Sequence, residues 1–214
     1  MKTITVILIT VLAGLGGCGE KRPPASLDDA FYFSGIYHWN EETPFLKDAA
    51  TGAEFPVVNL ADDPEFLRFL VSSTGEQPRF VYVELMGHLQ EGSDGLPDSR
   101  ILQADSLLEV FGSPNRRNEE TVAGFYVTDQ AGQRATLLLN GSYGFRQVRF
   151  GADSTEAVYT GVWRQSARNR VILFYQQKDG EVFEAQQTIG FDPDNLRLVE
   201  QAEGKQVIYR KTYL

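Results

Sequence analysis

The sequence predicts a mainly β protein built as a small OB-fold-like barrel with one helix followed by an antiparallel β-barrel, and three observations support this. The 214-residue chain contains 20 Gly, 9 Tyr and 14 Phe, a composition that favours strands and turns over helices. Residues 31–111 contain three strand-like runs, one helix and two further strands, which is the element order of an OB-fold, a small Greek-key barrel. From residue 122 onward, eight strand-like runs follow one another at regular spacing, which indicates an up-and-down antiparallel barrel.

The segment before these elements is organised around Cys18. Lys2 precedes an apolar run from Ile4 to Leu15, which is typical of an export signal and shorter than the about 20 residues of a membrane-spanning helix. Leu15-Gly16-Gly17-Cys18 resembles the lipobox of bacterial lipoproteins, in which the cysteine is lipidated and the preceding peptide is removed. Cys18 is the single cysteine of the chain, and a lipid explains a lone thiol in an exported protein. An ordinary signal peptide that ends near a cysteine is the alternative.

This pattern predicts a lipoprotein signal peptide at residues 1–17 and an extended, charged and proline-bearing tether at residues 18–30. By resemblance to enterobacterial lipoproteins, Gly19 rather than Asp after the cysteine implies anchoring in the outer membrane, facing the periplasm. The formal net charge of −9 argues against nucleic acid as a partner and against a basic patch on anionic lipid.

The first barrel is predicted at residues 31–112. Strands are expected at 31–39, 44–47, 53–58, 79–89 and 101–111. Asp62-Asp63-Pro64-Glu65 combines an acidic cap with proline in the first turn and therefore predicts a helix that continues to Val71. Leu107-Leu108 leaves a helical alternative open within the last strand.

The second barrel is predicted at residues 121–214, after a polar linker at 113–120. Its strands are expected at 122–128, 134–140, 143–150, 156–165, 170–177, 181–189, 196–201 and 206–213. Asn140-Gly141 is typical of a two-residue hairpin turn.

Several short motifs resemble the NlpE family of envelope-stress and copper-homeostasis lipoproteins. Gly35-Ile36-Tyr37, Asp48-Ala49-Ala50-Thr51-Gly52, Phe55-Pro56-Val57 and Glu84-Leu85-Met86-Gly87-His88 are similar to its OB-type domain. The run from Thr136 to Tyr143, followed by Gly161-Val162-Trp163, is similar to its lipocalin-like barrel. The resemblance implies an outer-membrane lipoprotein with a palmitate-type anchor, which acts in the stress response by contacting other envelope proteins.

Two departures from the family pattern limit what the resemblance implies. The OB-type domain comes first here, whereas the best-known family members begin with the lipocalin-like domain. The Cys-x-x-Cys of the family's barrel is absent from the corresponding turn, Asp129-Gln130-Ala131-Gly132, and Ala49 stands where the family often has cysteine. The family's thiol chemistry and disulfide-based sensing therefore do not carry over, and its copper role loses the support of these cysteines.

The metal-ligating residues are few. His38 and His88 lie on different strands of the first barrel, where Glu84 or Glu41 would complete a weak site, and Met86 is a further soft ligand. The alternative is that both histidines are surface or cross-strand residues and that Met86 belongs to the core. The sequence predicts no metal site and no cofactor.

The sequence also predicts no enzyme, because no nucleophile elbow or phosphate-binding loop is present. The remaining site residues are aromatics of the second barrel. Tyr143, Phe145, Trp163 and Phe174 are expected to line a small apolar pocket if the barrel is hollow, although Trp163 after Gly161 also fits a packed barrel floor. Two functions follow from these residues and the resemblance: an interaction or stress-sensor module, or a carrier of a small apolar ligand or lipid.

Overall fold

The computed structural model describes residues 25–38, 44–60, 80–91, 100–111, 121–130, 133–151, 155–202 and 204–212. Thirteen strands occupy this part of the chain and form two closed barrels. The strands are β1 (Phe31–His38), β2 (Phe45–Asp48), β3 (Glu54–Val58), β4 (Phe80–Glu91), β5 (Arg100–Phe111), β6 (Gly124–Gln130), β7 (Gln133–Leu139), β8 (Gly144–Phe150), β9 (Glu156–Ala167), β10 (Arg170–Lys178), β11 (Glu181–Asp192), β12 (Arg197–Ala202) and β13 (Lys205–Thr212). The predicted fold class, two β barrels of unequal size, is confirmed.

Several predicted features lie outside the described residues: the signal peptide and lipobox at 1–18, Glu41 of the weak metal site, the helix that starts at Asp62, and the linker at 113–120. Within the described part, no helix has the length and apolar character needed to cross a membrane.

The smaller barrel has the strand order β1-β2-β3-β5-β4 and closes between β4 and β1. Its one parallel pair joins β3 to β5, with Val57 opposite Leu102, and the other pairs are antiparallel. Gly35 permits the close approach of β1 to β2, because a Cβ there would lie 2.0 Å from the carbonyl oxygen of Lys47. Leu107 and Leu108 lie inside β5, so the helical alternative is wrong; pairing with β4 overrides their helix propensity.

The larger barrel is an antiparallel meander in the order β6 to β13, closed between β13 and β6. Alternate residues point inward, as the register shows: Leu137 lies opposite Gln147, and Gln147 lies opposite Tyr159. Gly161 brings β9 close to β10, because a Cβ there would lie 2.0 Å from the carbonyl oxygen of Phe174. This explains the glycine of the Gly-Val-Trp motif by backbone proximity.

The turn after β7 is longer than the predicted two-residue turn. β7 ends at Leu139 and β8 begins at Gly144, so four residues, 140–143, form the connection. The side-chain Oδ1 of Asn140 accepts hydrogen bonds from the backbone N–H groups of Ser142, at 3.1 Å, and Gly144, at 2.7 Å. Tyr143 adopts a φ of 63°, in the left-handed region, which directs its side chain toward the smaller barrel.

The two barrels share one buried junction. Phe31 of β1 packs edge-on against Phe174 of β10, with ring centroids 6.0 Å apart. The Tyr143 ring lies 6.2 Å from the rings of both Phe33 and Phe55. The backbone N–H of Ala123 donates to the carbonyl of Ala50 at 2.9 Å, so main-chain contacts also cross the junction.

Asp48 is the polar centre of this junction and is almost completely buried. Its Oδ2 accepts hydrogen bonds from the Tyr143 hydroxyl at 2.9 Å and from the Thr51 hydroxyl at 2.6 Å, whereas its Oδ1 has no partner among the described residues. Burial raises the pKa of the Asp48 carboxyl, and burial together with Asp48 raises the pKa of Tyr143. Tyr143 therefore stays neutral, and its hydroxyl donates a hydrogen bond to Asp48 Oδ2.

Candidate functional site at the open end of the larger barrel

The two ends of the larger barrel have different interiors. We call the end that carries the turns at 140–143, 168–169 and 193–196 the closed end, and the opposite end, with the turns at 179–180 and around 204, the open end. Trp163 is the largest side chain of the closed end, fully buried, and its indole N–H donates to the carbonyl of Asn140 at 3.1 Å. Buried apolar side chains surround it: Tyr126, Leu137, Leu139, Phe145, Leu173, Ile189 and Leu198. The closed end is thus a packed floor.

A network of polar side chains spans the interior above this floor. It joins five strands through Gln147, Arg149, Tyr175, Gln187, Glu200 and Tyr209. The Tyr209 hydroxyl donates to Glu200 Oε2 at 2.9 Å and accepts from Gln147 Nε2 at 3.2 Å. Because these side chains come from different walls and meet in the middle, they fill the barrel at this level.

Arg149 supplies the positive charge of the network. Its Nε donates to Gln147 Oε1 at 3.0 Å, its Nη2 donates to Gln187 Oε1 at 3.2 Å, and the same Nη2 lies 3.6 Å from Glu200 Oε1. The Glu200 side chain is 4% exposed, whereas the Arg149 side chain is 41% exposed. The ion pair therefore has one buried and one partly solvated partner, and Arg149 is the member of the network that reaches solvent at the open end.

The two tyrosines of the network are neutral donors. Burial raises the pKa of Tyr175 to about 12. Burial and the neighbouring Glu200 carboxylate raise the pKa of Tyr209 above its ordinary range. Both hydroxyls therefore keep their protons over the physiological pH range and hold the carbonyl and carboxylate oxygens of the network in place.

The β12–β13 hairpin is paired to the rest of the barrel only near the closed end. β11 pairs with β12 at three positions, from Gly190 opposite Val199 to Asp192 opposite Arg197. β13 pairs with β6 at three positions, between 210–212 and 125–127. At the open end, both seams lack backbone pairing among the described residues, and the buried side chains of Glu200, Val207 and Tyr209 hold the hairpin against the interior.

The β10–β11 hairpin projects at this open end. Val182 is 85% exposed and Phe183 is 36% exposed. The Phe183 ring contacts the Tyr159 ring at a centroid distance of 5.7 Å and the Tyr175 ring at 6.2 Å. Phe183 is thus fixed on the rim of the mouth, while Val182 faces solvent.

The structure separates the four aromatics that the sequence predicts as pocket lining. Phe145 and Trp163 point into the barrel, where they belong to the packed floor. Tyr143 and Phe174 lie at the junction and contact the smaller barrel, and the Tyr143 ring also packs on Trp163 at a centroid distance of 4.7 Å. Phe174 points outward because Leu173 and Tyr175, its neighbours along β10, occupy the inward positions.

The structure places His38 far from the other two weak metal ligands, His88 and Met86, which lie two residues apart on β4. His38 stacks on Phe45 at a ring-centroid distance of 4.2 Å and lies opposite Phe80. His88 lies eight residues further along β4, roughly 26 Å away at about 3.3 Å per residue. Its Nδ1 is 2.6 Å from Asp105 Oδ2. Among the described residues, no three His, Cys, Asp or Glu side chains form a metal-binding group.

Met86 lies on the outer face of β4, opposite Tyr32 and Ser106, and is half-buried. The interpretation of Met86 as a core residue is therefore wrong. The inward positions of this strand belong to Val81, Val83 and Leu85, so the alternation of the strand turns Met86 outward.

The polar network was not predicted from the sequence. The available signal was Gln147 and Arg149, which follow Phe145 at alternate positions and therefore share its inward face. Glu200 likewise shares the inward face of Leu198. A polar residue on the inward face of a strand, where the other inward residues are apolar, indicates either the mouth of the barrel or a functional interior. Only the register of the strands shows that these polar side chains meet.

A second concavity lies between the barrels. It is a cavity of about 60 Å³ beside the junction, and its walls include Tyr32, Ser34, Gln165, Arg168 and Phe191. The buried Tyr32 hydroxyl has no hydrogen-bond partner among the described residues. The cavity is large enough for ordered water.

No protein-family model, curated protein or solved structure matches this chain. The resemblance to NlpE lipoproteins therefore stays a prediction.

Proposed function

We propose that this chain is a lipid-anchored protein of the cell envelope that acts by binding other envelope proteins and not by catalysis. In this proposal Cys18 carries the lipid and places the two barrels on the periplasmic side of the outer membrane, as the resemblance to NlpE lipoproteins implies. The resemblance extends the proposal to a role in the envelope-stress response.

One structural observation supports protein contact most directly. The β10–β11 hairpin projects from the open end and presents Val182 with 85% of its surface exposed, next to the rim residue Phe183. Soluble proteins keep large apolar side chains covered where they serve only packing, and exposed apolar patches with polar rims are typical of interaction sites. Glu181 and Glu184 provide such a polar rim.

The alternative function, a carrier of a small apolar ligand, has less support. The floor around Trp163 is packed, and the network from Arg149 to Glu200 fills the interior above it. An apolar ligand would have to displace a hydrogen-bonded ion pair, which leaves a buried carboxylate without its partner. Native mass spectrometry of the mature protein tests this alternative, because a carrier co-purifies with its ligand.

Site-specific photo-crosslinking in cells tests the proposal. A photoreactive amino acid replaces Val182 in one variant and Leu138 in a control variant, because Leu138 is an outward apolar residue of β7 that is 40% exposed. We expect a discrete protein adduct at position 182 and none at 138. The absence of any protein adduct at 182, or an identical set at both positions, would contradict the proposal.

Cys18→Ser tests the anchor separately. We expect the variant to lack acyl chains and to leave the membrane fraction or remain uncleaved. A variant that still carries lipid and fractionates with membranes would show that the lipobox interpretation is wrong.

A further inference from the structure

We infer that the unpaired edge of β11, residues 181–188, accepts an extended basic segment of a partner protein as an additional strand. This inference rests on the proposed function and specifies its contact surface and the chemistry of the partner. It concerns one edge of one strand, and the contact is made mainly by backbone hydrogen bonds.

The edge exists because β11 has a long neighbour on one side only. Toward β10, pairing runs from Arg170 opposite Gly190 to Lys178 opposite Glu181, with one register shift between Tyr175 and Gln177. Toward β12, pairing stops at Gly190, so no described strand pairs with residues 181–188 on this side. An unpaired strand edge presents a row of backbone N–H and C=O groups, which is a template for strand addition.

The edge is accessible as well as unpaired. Residues 181–185 are all exposed, and Thr188 is exposed near the other end of the segment. The segment holds no proline and no lysine, two residues that commonly protect an edge strand. Its protections are limited to Glu181, Glu184 and one register shift opposite Tyr175 and Gln177 of β10. It also continues directly into the paired positions 190–192, so its backbone is already held in an extended conformation. A partner segment therefore meets a preordered strand.

The charge of the hairpin selects the partner. Asp179, Glu181 and Glu184 oppose one lysine, Lys178, and the whole chain carries a formal charge of −9. A second copy of the same edge would bring acidic residues against acidic residues, which disfavours edge-to-edge dimers. A segment with lysine or arginine at alternate positions is complementary to this edge.

The side chains on the two faces of the edge define the rest of the pattern. Val182 faces solvent on one side, while Phe183 lies on the side of the mouth against Tyr159. Because successive residues of an added strand point to opposite faces, an apolar residue on the mouth side would cover Phe183. The expected segment is thus extended, basic and alternately apolar.

Residue-resolved amide hydrogen exchange on the chain expressed from residue 18 onward, with Cys18→Ser to keep it free of lipid, tests the inference. The probe is a capped heptapeptide of alternating lysine and valine, and its charge control replaces every lysine with glutamate. A third peptide keeps the lysines and valines but carries N-methyl groups that remove alternate backbone donors.

We expect the lysine–valine peptide to slow exchange at least tenfold for the amides of 181–188 that face away from β10, in a saturable manner. The glutamate and N-methylated peptides should give no protection. Glu184→Lys should weaken binding of the lysine–valine peptide at least threefold, whereas Glu156→Lys, an exposed position on β9, should leave it unchanged.

Three results would overturn the inference. Equal protection by the N-methylated peptide would show that side-chain charge alone drives binding. Protection that depends on protein concentration without any peptide would identify a second copy as the occupant. No protection by the lysine–valine peptide, combined with a protein adduct at position 182 in cells, would reject strand addition while the proposed protein contact stands.

Discussion

The closed end and the open end of the larger barrel are built from the same eight strands, but they use their inward positions differently. At the closed end these positions carry Trp163 and other buried aromatic and aliphatic side chains, and the smaller barrel packs beside them. At the open end they carry Arg149, Glu200 and their hydrogen-bonded partners, and two seams of the barrel are unpaired. The buried apolar packing that stabilises the barrel is concentrated at the closed end, and accessible polar and apolar groups are concentrated at the open end.

This difference shows at which end of such a barrel polar functional side chains destabilise the fold least. A polar residue in a packed floor would lose its hydration without compensation, whereas a polar network near the mouth keeps part of its solvent contact. The half-exposed Arg149 illustrates this, because its charge compensates the buried Glu200 and still reaches water. Substitutions at the two ends should therefore have very different effects on stability.

The largest expected effect belongs to the floor. Trp163→Ala should lower the free energy of unfolding by about 3–5 kcal/mol, because it leaves a large cavity in a region without solvent access. Phe183→Ala, the aromatic control at the open end, should cost about 1 kcal/mol or less, because its ring is partly solvated. Urea unfolding of both variants measures the difference. Equal losses would contradict the assignment of stability to the closed end.

A smaller effect is expected at the junction hydrogen bond. Tyr143→Phe removes the hydroxyl that donates to Asp48 and should cost about 1–3 kcal/mol, because it leaves a buried carboxyl group with fewer partners. Tyr159→Phe is the control, since the Tyr159 hydroxyl makes no hydrogen bond among the described residues and should cost about 0.5 kcal/mol or less. Denaturant midpoints compare the pair. If the Tyr159 variant loses as much stability as the Tyr143 variant, the hydroxyl at the junction has no special role.

The same junction should make stability depend on pH. Burial raises the pKa of Asp48 above its ordinary value of 3.8, so the folded chain retains a proton that the unfolded chain releases. The stabilising contribution is full below about pH 3.8 and is lost as the pH rises through the folded-state pKa. Asp48→Asn cannot titrate, so the stability of the wild type relative to this variant should fall as the pH rises above about 4, by about 1.4 kcal/mol for each unit of pKa difference.

Unfolding free energies of the wild type and Asp48→Asn between pH 4 and pH 8 provide the measurement. A constant difference between the two proteins across this range, or a difference of the opposite sign, would contradict a buried Asp48 with a raised pKa.

A weaker coupling is expected across the open end. In a double-mutant cycle, Arg149→Met and Glu200→Gln should show a coupling energy of about 1 kcal/mol, because the pair is 3.6 Å apart but one partner is solvated. Raising the salt concentration to about 1 M should reduce this coupling. Strictly additive effects of the two substitutions would show that the ion pair makes no net contribution.

The sequence predicted the strands well, since their periodicity and turn residues are local. All thirteen described strands overlap a predicted strand, and the order of a small and a large barrel is confirmed. The junction was not predicted, because the contact between Asp48 and Tyr143 joins residues 95 positions apart and depends on how two barrels pack. The seam between β11 and β12 was also not predictable, because the strand-like pattern continues beyond the point where pairing stops.

The candidate site residues show the same difference between local features, which the sequence predicts, and long-range contacts, which it does not. Trp163 and Phe145, two of the four aromatics expected to line the interior, do point inward. Tyr143 and Phe174 were assigned to the wrong surroundings, since residues of a strand or turn that face outward can still be buried by a second barrel. The polar network depends on the register of five strands, so the residue pattern within one strand does not predict it.

Hydrogen exchange of the chain without any added peptide tests the contrast between the two ends most directly. The Phe191 amide donates to the carbonyl of Asn169 at 2.8 Å at the closed end, so it should exchange only through global unfolding. Along residues 181–188, the amides that face away from β10 should exchange within about tenfold of the rate of an unstructured peptide. Uniform protection of the amides from 181 to 191, equal to that of Phe191, would show that the edge of β11 is not free and would contradict the contrast between the two ends.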